Sequence, residues 1–285
     1  MKHKKHSYGG EFRHKHSLGQ NFIEDEALLE QLADFSLVTK EDCVLEIGPG
    51  FGALTKPLAR RARQVVSLEI DPTLFPILNV ALEHVDNAHV VQGDVMKTDL
   101  HALAEASFGE GCSLRVAANL PYYITTDVLT KLLMTLPEAK SIAVMIQKEV
   151  GDKLLSQPGD EGYGPLAILC QYFCEVRRAL DVPAACFTPP PKVDSAVLSF
   201  EPLPPEALPA RPEALSRLLR ICFQQRRKQL GGIFRRAGLP ELETALERTG
   251  LAPNLRPEAL GKDDFQRLAA FLPPNLDNPG QKRLS

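Results

Sequence analysis

Residues 114–133 read LRVAANLPYYITTDVLTKLL, and their order decides the architecture. Leu114 to Ala118 form a short, mostly apolar run of the kind that makes a buried strand. Ile124 to Leu133 carry apolar residues at helical spacing. Between them, Asn119-Leu120-Pro121-Tyr122 places a polar amide, a rigid turn and an aromatic ring at the carboxyl end of a strand. In open α/β sheets that is where ligands bind. The four residues suit one task, gripping a planar base that carries an amino group. The Asn119 side-chain oxygen can accept hydrogen bonds from the amine. Pro121 fixes the turn and biases Leu120 toward extended backbone, which can aim the Leu120 carbonyl at the same amine. Tyr122 offers a face for stacking. An ordinary strand-end turn is the plain alternative, and residues upstream bear on the choice.

Upstream, residues 43–47 (CVLEI) read as a buried strand and 64–70 (QVVSLEI) and 88–92 (AHVVQ) as further strands, with 141–146 (SIAVMI) another downstream. Helical patterns separate them, one over 53–62 and one opened by Asp71-Pro72 as cap and first-turn proline. Pro76 is awkward inside that second helix. The alternation predicts an α/β fold, a parallel sheet with helices on both faces. After Gln147 the rhythm changes. Helices are expected over 147–156 and 165–173, then β segments near 176–182 and 193–200 that form a hairpin at the sheet edge. Residues 201–212 (EPLPPEALPARP) contain five prolines and read as a linker. Beyond it, Leu215, Leu218, Leu219, Cys222 and Phe223 recur at helical spacing. Arg217, Arg220, Arg226, Arg227 and Lys228 fill the rest of that helical pattern.

Glu46-Ile47-Gly48-Pro49-Gly50-Phe51-Gly52 follows the first of these strands, and its glycines let the backbone turn sharply beside a ligand. Glu69 ends the next strand, where a carboxylate can accept both ribose hydroxyls of an adenosine. Gly93-Asp94 ends the third and suits a contact to the adenine amine. Gly48-x-Gly50-x-x-Ala53 also satisfies a relaxed dinucleotide fingerprint, so a nicotinamide cofactor is the first rival. Against it, Glu46 would set a negative charge near the pyrophosphate, and no hydride-transfer constellation follows. Glu46 can instead receive a cationic or amine-bearing group, which S-adenosylmethionine carries. Glu46 accepting hydrogen bonds that merely shape the loop is the plainer alternative.

Across 285 residues the net charge is −3, but it is unevenly spread. Residues 1–16 carry +4, residues 17–209 hold 27 acids against 14 Lys/Arg, and residues 210–240 carry +7. Two basic segments flanking an acidic body suggest polyanion binding, with a solvated basic helix face as the alternative. No run approaches a membrane span, and the basic amino terminus lacks the apolar segment of a secretory signal. Six scattered cysteines without a C-x-x-C pair fit a reducing cytoplasm. No metal site is expected. The histidines at 3, 6, 14 and 16 sit in the basic tail.

With these residues assembled, the chain resembles the small-subunit (16S) ribosomal RNA adenine dimethyltransferase family. The resemblance runs from about Lys15 into the carboxyl-terminal helices. It rests on HSLGQNFI (16–23), VLEIGPGFGALT (44–55), SLEID (67–71), GDVMKTD (93–99), NLPYYITT (119–126), IQKEVGDKL (146–154), YGPLAILCQYF (163–173) and FTPPPKVDSAV (187–197). It implies a Rossmann-like methyltransferase domain with a small all-helical carboxyl-terminal domain. It further implies S-adenosylmethionine as cofactor and dimethylation of two adjacent adenosines near the 3′ end of 16S rRNA in the small subunit. The donor site it implies is Asn21, Ile23, Gly48, Glu69, Asp94 and Asn119. Ile23 stands where the family usually has leucine. The catalytic set is Asn119, Leu120, Pro121 and Tyr122, with Phe187 a candidate for the second stacking face, or else core. Tyr123 is expected to pack. Arg226, Arg227 and Lys228 are the expected RNA contacts, although QRRKQLGGIFRR (225–236) only partly matches the family's continuation. The expected layout is a basic flexible tail at 1–16, a methyltransferase domain at 17–203 and a docking domain at 204–285. A cytoplasmic monomer is expected. The rivals are a large-subunit rRNA methyltransferase conferring macrolide resistance, a DNA adenine methyltransferase and a non-catalytic assembly factor.

Overall fold

The computed structural model describes residues 21–23, 25–208 and 210–273, so the basic segment 1–16 lies outside the described residues. In chain order the elements are β1 (Phe22–Ile23), α1 (Glu26–Phe35), β2 (Asp42–Ile47), α2 (Thr55–Arg61), β3 (Gln64–Glu69), α3 (Phe75–Ala81), β4 (Ala88–Gln92), α4 (Leu100–Phe108), β5 (Ser113–Asn119), α5 (Thr125–Thr135) and β6 (Ser141–Gln147). Then come α6 (Lys148–Leu154), α7 (Pro165–Phe173), β7 (Cys174–Val182), β8 (Phe187–Thr188), β9 (Ser195–Pro202), α8 (Pro212–Phe223), α9 (Leu230–Ala237), α10 (Pro240–Thr249) and α11 (Lys262–Ala269). Local chemistry sets many boundaries. The Asp25 carboxylate accepts the Leu28 N–H at 3.1 Å to open α1, and Asp99 does the same for α4. Gly238 and Gly250 close α9 and α10 in left-handed conformation. Asp71 caps a single 3-10 turn over Pro72–Leu74, and α3 starts afresh at Phe75. Pro76 therefore falls in a first turn, where no N–H is needed.

The main sheet has seven strands in the order β4-β3-β2-β5-β6-β9-β7. The pairs β4–β3, β3–β2, β2–β5 and β5–β6 are parallel, and β6–β9 is antiparallel. β2 buries all six of its residues, as a central parallel strand covered on both faces must. β7 and β9 neighbour one another at the edge, as their spacing in the sequence predicts. A separate two-stranded ladder, not foreseen, pairs β1 with β8 and sets Ile23 opposite Phe187.

The described residues divide into two compact units, those within 1–151 and 177–202, and those within 152–176 and 203–285. This corrects the expected layout, which assigned 152–176 to the methyltransferase domain. The reason is long-range contact that chain order hides. α7 buries Ala167, Ile168, Leu169, Cys170, Tyr172 and Phe173. The Tyr163 hydroxyl donates to the Leu260 carbonyl at 3.0 Å, and the Tyr172 hydroxyl donates to the Lys262 carbonyl. A second correction concerns the basic segment. α8 ends at Phe223, and Arg226, Arg227 and Lys228 lie in an exposed turn before α9 instead of on a helix.

At the amino ends of β2, β5 and β6 a buried polar network ties the sheet together. Asp42 accepts from Arg115 Nε at 2.8 Å, from the Thr39 N–H at 2.8 Å and from the Ser113 hydroxyl. Arg115 reaches on to the Ser141 hydroxyl at 2.9 Å. Burial alone would raise the Asp42 carboxyl, but the hydrogen bonds from Ser113, Thr39 and Arg115 outweigh it and hold it at about 2. A depressed carboxyl stabilises the fold above its ordinary value of 3.8, and that contribution is lost as pH falls through about 2. Asp42→Ala leaves Arg115 uncompensated, and urea unfolding should show a loss of about 3–5 kcal/mol. A loss under about 1 kcal/mol would show that water satisfies the pair.

Candidate active site

The carboxyl ends of β2, β3, β4 and β5, joined by the segment around β1, enclose a cavity of about 280 Å³. β2 leads into the glycine loop, where Gly48, Gly50 and Gly52 all have positive φ. Gly50 is required twice over. Its φ is +59°, and a Cβ there would come within 2.8 Å of the Phe22 ring. Phe22 stacks on Phe51 of the same loop with ring centroids 3.9 Å apart, so two aromatic rings brace the turn.

Three acidic residues, Glu46, Glu69 and Asp94, line the cavity. Glu69 at the end of β3 is buried and accepts the Asp71 N–H at 2.8 Å and the Gly50 N–H at 3.3 Å. Burial raises its carboxyl above the ordinary range, against those backbone hydrogen bonds. Glu46 is 1% exposed. One of its oxygens accepts from the Thr55 hydroxyl at 2.7 Å and the Ser67 hydroxyl at 2.6 Å. Its other oxygen, Oε1, is buried with no partner among the described residues. Burial pushes this carboxyl up to about 7, with the Ser67 and Thr55 hydroxyls opposing and the nearby Glu69 charge adding. An acceptor left bare on a buried acid suits a cationic or amine-bearing ligand group. At β4's end, Asp94 accepts the Met96 N–H at 2.9 Å and begins a tight turn. Lys131 of α5 donates to the Met96 and Thr98 carbonyls at 3.0 and 2.7 Å, fixing that turn against the helix.

At β5's end the amide Nδ2 of Asn119 donates to the Asn21 carbonyl at 3.4 Å. That contact commits the nitrogen and sets the Asn119 oxygen as the acceptor left for a ligand. The Leu120 N–H donates to the Met145 carbonyl at 3.1 Å, and the Pro121 carbonyl accepts from the Ile124 N–H and the Thr125 hydroxyl, both at 3.2 Å. Tyr122 is pinned by a 2.6 Å hydrogen bond between its hydroxyl and that of buried Ser195 on β9.

Asn21, Ile23, Gly48, Glu69, Asp94 and Asn119 all line this cavity, together with Leu120, Pro121 and Tyr122. Phe187 does not line it. Its ring is 3% exposed in the apolar cluster with Ile23, Val182 and Val197. That is the placement of the core alternative, and Phe187 is the ladder partner of Ile23. Tyr123, expected to pack, is 56% exposed at the cavity. Sequence reading missed Phe22, Phe51, Ile70 and Met96 as lining residues. Each lies within three positions of a residue it did select, which is the signal available. Arg226, Arg227 and Lys228 belong to the other unit. Arg226 donates to the Glu161 carbonyl at 3.2 Å and approaches Glu258 at 3.5 Å, while Arg227 and Lys228 are exposed.

A family model described as ribosomal RNA adenine dimethylase matches residues 11–273. The ribosomal RNA small subunit methyltransferase A of Bacillus mycoides (strain KBAB4) is 40% identical over 268 residues, 92% of each chain. A solved dimethyladenosine transferase from Plasmodium falciparum gives a TM-score of 0.74 at 27% identity, covering 87% of this chain and 95% of that one. The solved 23S rRNA methyltransferase ErmE gives 0.65 at 27% identity, covering 88% and 99%. The chain therefore has the fold of a Rossmann-like, S-adenosylmethionine-dependent methyltransferase and belongs to the ribosomal RNA adenine dimethylase family.

Proposed function

We propose that this chain dimethylates the exocyclic amines of two adjacent adenosines near the 3′ end of 16S rRNA in the small ribosomal subunit, and so contributes to subunit biogenesis. The observation that carries the reading is the shared cavity. The donor-type residues and Asn119–Tyr122 line one space of about 280 Å³. Two features of that space fit S-adenosylmethionine, the bare Glu46 Oε1 and the Gly50 cradle that a Cβ would fill. When bound, S-adenosylmethionine supplies an electrophilic methyl group on a sulfonium. Glu69 would hold the ribose hydroxyls, Asp94 the adenine amine and Glu46 the cationic end.

The remaining work falls to the receiving side. An adenine amine is a weak nucleophile because its lone pair is delocalised into the ring. Asn119 Oδ1 and the Leu120 carbonyl would accept its two hydrogens and favour a pyramidal nitrogen, while the pinned Tyr122 ring stacks on the base. This is catalysis by positioning and electrostatics, with the proton passing to water afterwards. The base must leave its own stack to enter. The second methylation has one hydrogen fewer to hold. No helix among the described residues is long and apolar enough to cross a membrane. A cytoplasmic monomer acting on the 16S rRNA within the subunit completes the reading.

Offering labelled donor to a mixture of unmethylated small and large subunits tests the proposal. Label in 16S rRNA supports it. Label confined to 23S rRNA would move the chain to the macrolide-resistance type of activity. Two predictions concern the donor. Glu69→Ala should weaken its binding by about 1.5–3 kcal/mol for each charge-assisted hydrogen bond lost, and calorimetry showing unchanged affinity would remove Glu69 from the site. The Glu46 carboxyl, at about 7, ionises as pH rises through neutrality, so affinity for the cationic donor should climb over that range. Glu46→Gln should flatten the climb. A slope that survives the substitution would assign it to another group.

A further inference from the structure

We infer that Tyr123 is a stacking platform for the base next to the one being methylated, a positioning residue that acts on the flanking nucleotide. The inference rests on the rRNA adenine reading above and deepens it. Among the described residues six large apolar side chains are exposed, and three of them, Ile70, Met96 and Tyr123, line the same cavity. Scattered singly, such residues need no explanation, but half of them gathered at one rim does. Ile70 and Met96 follow Glu69 and Asp94 at the ends of β3 and β4, on the donor side. Tyr123 is the most exposed of the three, at 56%, and it stands on the receiving side in the turn that opens α5.

The two consecutive tyrosines are held differently. Tyr122 is half-buried and its hydroxyl is tied to Ser195 at 2.6 Å, so this lining residue is held in place. Tyr123 keeps a wide aromatic surface toward solvent beside it. A base drawn out of its stack leaves its neighbour with an uncovered face. An exposed tyrosine at the mouth can cover that face, and base–aromatic stacking does so without regard to sequence. Two adjacent adenosines would each need the service in turn, the one outside stacking on Tyr123 while the other occupies the cavity. The aromatic face, not the hydroxyl, carries the effect.

The test compares wild type with Tyr123→Phe, Tyr123→Leu and Tyr123→Ala on unmethylated small subunits. It reads kcat/KM for the subunit, donor affinity by calorimetry, and thermal unfolding. Tyr123→Phe should stay within about twofold of wild type. The Leu and Ala variants should lose about 5- to 150-fold in kcat/KM, mainly through KM, with donor affinity unchanged. Should Ala reduce folding, Leu still fills the space without offering an aromatic face. Wild-type kcat/KM in the Leu variant overturns the inference. Equal losses in Phe and Leu also overturn it, because the hydroxyl would then be what matters. Wild-type enzyme that leaves 16S rRNA unmethylated removes the proposed function itself and this inference with it, an outcome distinct from active wild type with an indifferent Leu variant.

Discussion

Asn119→Ala should lower the rate of methyl transfer by about 10²–10³-fold, the scale of removing one preorganised hydrogen-bonding group from a reacting centre. The reason is positional. The Asn119 nitrogen is committed to the Asn21 carbonyl at 3.4 Å, which turns its oxygen into the acceptor beside the cavity. Alanine removes that acceptor and also the tie to Asn21. Single-turnover assays under saturating donor separate this loss from weaker cofactor binding. Asn119→Asp is an informative companion. It keeps an acceptor but faces the Asn21 carbonyl with a carboxylate oxygen, so it too should be slow. Retention of more than half the wild-type rate by Asn119→Ala would dismiss the base-gripping role of the turn.

Reversing Arg226, Arg227 and Lys228 to Glu should weaken binding to small subunits by more than about tenfold, with donor affinity intact. The lining of the cavity belongs wholly to the other unit, so the cofactor end has no stake in these charges. Residues 17–209 carry −13, which repels RNA, and residues 210–240 carry +7. Each phosphate contact removed should also flatten the slope of log affinity against log salt by roughly 0.7–0.9. Arg226 already engages Glu258 and the Glu161 carbonyl, so reversing it also disturbs a local contact. A variant reversing Arg227 and Lys228 alone leaves that contact in place and should keep most of the effect. Wild-type affinity and salt slope in both variants would reduce the turn to a solvated surface.

Much of the first unit is legible because its parallel strands read as short apolar runs, the central ones buried on both faces and β4 partly exposed at the sheet edge. The stretch 88–92 matches β4 residue for residue, and 43–47 misses β2 only by Asp42. Asp42 escapes an apolar pattern because its burial depends on Arg115 and Ser113, far along the chain. The lining residues at strand ends were readable for a related reason. A loop after a parallel strand opens on the ligand side whatever its length.

What the sequence hides are effects of distance. Tyr163 belongs with Leu260, and nothing local in YGPLAILCQYF says so. Phe187 is turned inward by a two-residue ladder with Ile23, too short for any periodicity to reveal. α8 stops at Phe223 although no glycine or proline stands between 213 and 230, so the basic residues after it read as helical. Tyr123 resists prediction for the opposite reason. Its neighbour Tyr122 is held by Ser195, and only the fold decides which of two adjacent rings goes in and which stays out.

Under the proposed function the cavity delivers methyl groups to two neighbouring adenine amines of the small subunit. Mass-spectrometric mapping of 16S rRNA from unmethylated small subunits, after incubation with the protein and S-adenosylmethionine, tests it most directly. N6,N6-dimethyladenosine is expected at two adjacent positions near the 3′ end, forming about 10²–10³-fold more slowly with Asn119→Ala. Modification of 23S rRNA alone, a methyl group on any atom other than the adenine amine, or an unmodified 16S rRNA would contradict it.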